Sequence, residues 1–265
     1  MIVVGELINS TRPRVGEAIA DRHAAVIQTL AVRQAEAGAD YLDVNAGARP
    51  DQEAEDIAWL VDTVQAVTEA PLCIDSPDPE VIEAGLARHR GQALVNSFTA
   101  EPERRSAVLP LAERHGARVV GLTLDQRGMP ETAAQRVEIA LTLIAAAAEH
   151  GIAAGDLFID PLVRPISSEG EQGRAVLEAI SGIKHEAPEA NVICGLSNIS
   201  YGLPDRRLVN RTFLAMAVAA GLDAALIDSL DRWLMAALCA AEALIGRDEY
   251  CADYLAAYRA GAFDG

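Results

Sequence analysis

A single lysine, Lys184, stands among 265 residues, well away from any stretch that reads as a strand end. Schiff-base chemistry needs an amine in the site, so that isolation argues against it. Aromatics make up only 4% of the chain, and Trp59 and Trp233 both fall in helical patterns. Paired carboxylates could cleave glycosides, but the aromatic platforms that sugar clefts recruit are missing. All five histidines (His23, His89, His115, His150, His185) fall in or beside helical stretches. A histidine-based metal site and a Ser-His-Asp triad are excluded with them. Cys73, Cys194, Cys239 and Cys251 form no CxxC pair, and a chain of this size needs no disulfide staples. They read as reduced, mostly buried thiols of a cytoplasmic protein. The longest apolar run, Leu141 to Ala148, is far shorter than the roughly 20 residues of a membrane span, and MIVVGELIN has no basic leader. Positive charge is scarce as well. A formal charge of −17 repels phosphates, so neither nucleic acid nor an anionic membrane is expected as a partner.

What is present is apolar and regular. Hydrophobic residues form 51% of the chain, alanine above all. One unit recurs: an amphipathic helical stretch, a glycine, a short apolar strand, then a polar residue where the strand stops. Gly38, Gly116 and Gly221 each precede such a strand, where a glycine with positive φ ends a helix and turns the chain. Strands are expected near residues 2–5, 40–44, 71–75, 92–96, 118–123, 156–160, 191–195 and 223–227. Between them Ile57, Leu60, Val61, Val64 and Val67 share a helical face, as do Val137, Leu141, Ile144 and Ala148. Pro102 and Pro130 suit first helical turns, and Pro110 should kink or restart its helix. Eight strand–helix units without a linker predict one (β/α)8 TIM barrel over residues 1–265. An open doubly wound sheet is the competitor, weakened because no GxGxxG follows the first strand.

Barrel active sites lie at the C-terminal ends of the strands. Those ends carry Glu6 and Asn9, Asp43 and Asn45, Asp75, Asn96 and Ser97, Thr123 and Asp125, Asp160, Ser197 and Asn198, and Asp228. The set is carboxylate, amide and hydroxyl. Asp75 and Asp160 are also plausible magnesium ligands, and Asp75, Asn96 and Asp160 could each simply cap the following helix. Asp51 and Asp231 read as caps only. Taken together, two Asp and one Asn on barrel strands suit a 2-amino-4-oxo-pyrimidine ring. A carboxylate accepts two parallel bonds from its guanidinium-like edge, and an amide serves the neighbouring donors and acceptors. Asn198, just past the end of strand seven, is the leading reactive-centre candidate.

GELIN at 5–9, YLDVNAG at 41–47, CIDS at 73–76, VNS at 95–97, FIDPL at 158–162, GLSN at 195–198 and NRTFLAMA at 210–217 occur in that order. Together they resemble the methyltetrahydrofolate:corrinoid protein methyltransferases, members of the superfamily that also holds dihydropteroate synthase and the folate domain of methionine synthase. The resemblance implies a pterin-binding barrel that moves the N5 methyl group of 5-methyltetrahydrofolate to, or from, cob(I)amide by SN2 displacement. It implies that Asp75, Asn96 and Asp160 hold the pterin and that Asn198 lies at N5, with Asp160 a candidate proton relay. Gly195, Ser197, Glu6, Asn9 and Asp43 would line the same site, and Arg206 would meet the glutamyl carboxylate of folate. The corrinoid is expected on a separate corrinoid protein, the chain as a homodimer, and no protein-bound metal.

Two departures matter. A dihydropteroate synthase carries a Ser-Arg-Lys segment after strand seven to clamp pyrophosphate, where this chain has Leu196-Ser197-Asn198. The loop Tyr201 to Arg206 is less like the methyltransferases. A non-catalytic pterin-binding module is the competitor from another class, and Asn198 argues against it because holding the ring does not need an amide at N5.

Overall fold

Apolar β-rich segments separated by helical ones can bury both faces of their strands only in a parallel sheet covered by helices. The structure, a computed structural model describing residues 1–263, realises this as a closed barrel. Its strands are β1 (Ile2–Asn9), β2 (Tyr41–Asn45), β3 (Leu72–Asp75), β4 (Leu94–Thr99), β5 (Arg118–Leu122), β6 (Leu157–Asp160), β7 (Asn191–Gly195) and β8 (Ala224–Ile227). All pair in parallel with their sequence neighbours, and β1 closes the ring on β8. The eight expected strands are all present. β1 and β4 run further than expected, so Glu6 lies inside its strand and Asn9 ends it.

Ten α-helices surround the barrel among the described residues: α1 (Pro13–Ala20), α2 (Ala24–Glu36), α3 (Glu53–Gln65), α4 (Pro79–Leu86), α5 (Pro102–His115), α6 (Ala133–Glu149), α7 (Gln172–Glu186), α8 (Arg206–Ala220), α9 (Arg232–Leu244) and α10 (Ala252–Arg259). Gly116 and Gly221 cap α5 and α8 in left-handed conformation, and Gly38, just after α2, has φ of +93°. None of these helices is long and apolar enough to cross a membrane.

Several local expectations fail. α5 runs through Pro110 without interruption. Pro130 lies outside α6, whose N-cap is Thr132 in a reciprocal capping box with Gln135. Asp51 sits in a short 3-10 turn and caps nothing, while Asp231 does cap α9. Val67 falls beyond α3 and is exposed. Of the four cysteines, Cys73 and Cys194 are buried, Cys239 is half-buried and Cys251 is exposed. The expected inner face of α6 is wrong in phase: Arg136, Ile139, Ala140, Leu143, Ala146 and Ala147 point inward, whereas Leu141 and Ala148 are exposed. Alanines surround that helix on every side, so the apolar pattern has no phase to read.

The barrel interior is plugged by one residue per strand: Val4, Tyr41, Cys73, Leu94, Val120, Phe158, Ile193 and Ala224. Side chains alternate along a strand, so residues two further on face the same lumen nearer the mouth. Those residues are Glu6, Asp43, Asp75, Asn96, Leu122, Asp160, Gly195 and Leu226. A greasy floor beneath a polar layer follows directly.

Candidate active site

The polar layer opens into a cavity of about 700 Å³ at the C-terminal mouth of the barrel. Glu6, Asn9, Asp43, Asp75, Asn96, Asp160, Gly195, Ser197, Asn198 and Arg206 all line it, whereas the strand-end residues Asn45, Ser97, Thr123 and Asp125 do not. A volume of this order accommodates a small heteroaromatic ligand.

Asp75 ends β3, and Asn45 on β2 donates to its Oδ2 at 3.1 Å. Asn45 is itself held, its Oδ1 accepting from Ser10 Oγ at 3.0 Å and Gly47 N at 3.2 Å. Burial raises the Asp75 carboxyl to a pKa of about 6, against the pull of the Asn45 amide. Asp43 lies deeper, 2% exposed, with its Oδ1 lacking a partner among the described residues. Burial, reinforced by the nearby Asp75 charge, pushes its carboxyl well above the ordinary range, although Cys73 and Asn96 donate to it. Two carboxyls that share a dry site disfavour each other's charge, and the deeper Asp43 is the more strongly affected. The Asn96–Ser97 peptide is cis, and β4 shifts register between Asn96 and Phe98.

Across the mouth, Asp160 ends β6. Leu162 N donates to its Oδ1 at 2.7 Å and Gly195 N also bonds it. Burial again dominates and raises it to about 6, with those two amides and the Arg136 charge acting the other way. Glu6 on β1 accepts from Ser197 Oγ at 3.1 Å on each oxygen and pairs with Arg12 at 3.3 Å. Its carboxyl is raised chiefly by burial.

After β7 the chain enters a 3-10 turn, Leu196–Ser200. Leu196 and Ile199 are buried and pin the turn, which leaves Ser197 half-buried and Asn198 exposed to the mouth. Among the described residues the Asn198 side-chain amide has no hydrogen-bond partner and faces the cavity. Arg206, the first residue of α8, donates to Ser197 O at 2.6 Å and Ser200 Oγ at 3.0 Å, clamping the turn from below. Two of its donor atoms are thus committed to the protein, which leaves less of it for a ligand carboxylate.

Asp228, a strand-end residue, also lines the cavity, as do Thr11, Arg12, Arg207, Asn210, Asp231 and Leu234, which the strand-end pattern does not reach. Asp231 does more than cap: it accepts from Trp233 N and Leu234 N and pairs with Arg211 at 2.7 Å. Asn210 has a buried Oδ1 with no partner among the described residues. The sequence signal for it is the NRTFLAMA stretch, which begins with Asn210.

Acceptors outnumber cations in this cavity, and its two amides, the free Asn198 and the Asn96 that donates to Asp43, can both donate and accept. The arrangement suits a neutral, N–H-rich heterocycle rather than a phosphate.

The pterin binding enzyme family matches residues 5–228 of the chain. The chain is 38% identical over 263 residues to the methylcorrinoid:tetrahydrofolate methyltransferase of Eubacterium limosum, with 98% of this chain and 97% of that protein covered. It is 32% identical over 240 residues to methionine synthase of Mycobacterium tuberculosis, covering 86% of this chain but 20% of that longer protein. Among solved structures, dihydropteroate synthase of Xanthomonas albilineans in complex with indole-2-carboxylic acid and 6-chloroguanine superposes with a TM-score of 0.71 at 22% identity, covering 92% of each chain. A sulfonamide complex of the Yersinia pestis enzyme gives 0.70 at 17%, covering 93% of this chain and 94% of that one. These structural likenesses bear on the fold.

Proposed function

The chain belongs to the pterin binding enzyme family, and from that premise we propose that it moves a methyl group between N5 of tetrahydrofolate and the cobalt of a corrinoid carried by a separate corrinoid protein. The observation that carries this reading is the free Asn198 amide beside a carboxylate-and-amide pocket at the mouth of the barrel. Asp75, Asn96 and Asp160 hold the pterin edge, Asp160 and Asp75 as acceptors and Asn96 as the amide that can face either way. Gly195, Ser197, Glu6, Asn9 and Asp43 shape the same pocket, and Arg206 borders the folate-tail side while it clamps the turn.

The step is one SN2 displacement travelled in either direction. With methyltetrahydrofolate as donor, the cob(I) electron pair attacks the methyl carbon, the N5–CH3 bond breaks, and N5 keeps that pair and gains a proton. In reverse, the N5 lone pair takes the methyl from cobalt, cob(I) leaves with its pair, and N5 loses its proton. The name of the Eubacterium relative puts methylcorrinoid in the donor role, and we assign the same direction here. Either way, charge changes at N5. Asn198 can donate from Nδ2 to the lone pair or accept at Oδ1 from the N5 proton, and it does not titrate near neutrality, so its contribution is electrostatic. Asp160 and Asp75 both have a pKa of about 6, and we assign the relay of that proton to Asp160. The reading includes a homodimer, for which an apolar groove along α7 and α8 offers a contact face, lined by Leu177, Leu208, Phe213 and Met216.

Mixing the protein with cob(I)alamin and methyltetrahydrofolate should bleach the cob(I) absorbance and yield tetrahydrofolate. Methylcob(III)alamin and tetrahydrofolate should give the reverse change. Pterin binding with neither spectral change would make the chain a binding module. Condensation of a pterin pyrophosphate with aminobenzoate would make it a dihydropteroate synthase.

A further inference from the structure

Among the described residues the largest fully buried side chain is a cation. Arg136, 0% exposed, projects inward from the second turn of α6. Its Nε donates to Pro161 O at 2.7 Å, Nη1 to Glu131 O at 3.2 Å, and Nη2 to Gln172 Oε1 at 2.7 Å and Leu162 O at 3.4 Å. Among the described residues it forms no ion pair. A buried guanidinium carries a desolvation cost that neutral carbonyls offset only in part, so its place in a core needs a reason.

The contacts supply one. Pro161 and Leu162 form the turn directly after Asp160, and Leu162 holds φ of +59°, a left-handed conformation unusual for a branched side chain. In that conformation Leu162 N points back and donates to Asp160 Oδ1 at 2.7 Å. Arg136 grips both carbonyls of the same turn and ties them to Gln172, the first residue of α7 and itself buried.

We propose that Arg136 is a positioning residue for Asp160: it fixes the turn that aims the carboxylate into the cavity, and its unpaired positive charge favours the ionised carboxylate that a pterin edge requires. The inference rests on reading Asp160 as a pterin-holding group. The charged or ionisable groups acting on the two residues are few. Arg136 acts on Asp160, whose own charge acts on the Cys194 thiol of β7, and Arg164 and Glu169 from the β6–α7 connection act on Arg136. Arg136 is the cation among those acting on Asp160.

The test is calorimetric titration of tetrahydrofolate, under anaerobic conditions and across pH 5.5 to 8.5 (a window of about one to two units either side of the carboxyl pKa), into the wild type, Arg136→Met, Arg136→Lys, Asp160→Asn and the Asp160→Asn/Arg136→Met double variant. Binding to the wild type should weaken as pH falls. In Arg136→Met that midpoint should move up by about one unit, so that, on top of the loss at every pH from the missing fork, affinity falls by roughly a further tenfold at the acid end of the range, about twofold at neutral pH and hardly at all at pH 8.5. Arg136→Lys should keep the midpoint while weakening affinity, because the charge remains and the fork does not. In the Asp160→Asn background, Arg136→Met should add less than about twofold, because two residues acting as one unit are not additive. A folded Arg136→Met protein that binds as the wild type does, or loses affinity equally at every pH, overturns the inference, as does an additive double variant. Should Arg136→Met not fold, Gln172→Met removes one anchor of the guanidinium and is taken through the same cycle, an additive result again overturning the inference. Wild-type protein that binds no tetrahydrofolate overturns the functional reading itself and this inference with it.

Discussion

At the scale of single residues, the site is built from carboxyls the fold holds at a cost. Asp75 and Asp160 each sit near a pKa of 6, above their ordinary 3.8, because burial disfavours their charge. The sign follows from proton uptake. The native state binds protons more tightly than the unfolded chain, so the stability these groups contribute is complete below 3.8 and is lost as pH rises through about 6. Asp75→Asn and Asp160→Asn should therefore raise Tm at pH 8, by about 2–4 °C for each kcal/mol recovered, and have a smaller effect at pH 4. Calorimetric melts at the two pH values check this. Both variants should lose pterin affinity, since an amide cannot replace a two-bond acceptor. This opposition between stability and binding is the signature of a functional site rather than of helix capping. Strand-end polarity and the GLSN and FIDPL stretches made most of these residues legible in the sequence. What stayed hidden was which of them would be tied down. Arg206 looks free in a loop reading, yet its donors go to Ser197 O and Ser200 Oγ. Asn45 was noted at a strand end, yet its work as the donor that aims Asp75 needs the pairing of β2 with β3.

At the scale of elements, short apolar runs, three of them after a helix-ending glycine, were enough to place all eight strands, because both are local signals. Gly221 shows how strict that punctuation is. Its φ is +112°, and an added Cβ would lie 3.1 Å from Lys184 Cγ. Gly221→Ala should destabilise the protein by about 1–2 kcal/mol, read as a lower denaturant midpoint at unchanged slope, with methyl transfer per folded molecule preserved. Element phase was far less legible. The inward face of α6 was misjudged because alanine fills both faces, and Arg136 went unnoticed because a charged residue is expected outside. The turn that Arg136 holds depends on contacts between α6, β6 and α7 that no single stretch encodes.

At the scale of the whole molecule, the barrel divides its labour along its axis: an apolar floor of one residue per strand, then a polar layer two residues on, then an open mouth. Outside the barrel, Leu208 and Met216 are 61% and 50% exposed on α8, beside the groove proposed as the dimer contact. The protein should sediment as a dimer, and Met216→Glu should shift it to monomer while leaving the pterin pocket intact. A monomeric wild type would remove that part of the account. The central claim concerns Asn198, the free amide at the mouth. Stopped-flow methyl transfer between methyltetrahydrofolate and cob(I)alamin, set beside the tetrahydrofolate Kd, tests it for Asn198→Ala. The account predicts a fall in the transfer rate of about 10²–10³-fold, with the Kd changed by no more than a few-fold. Equal losses in rate and affinity, or no loss in rate, would contradict it.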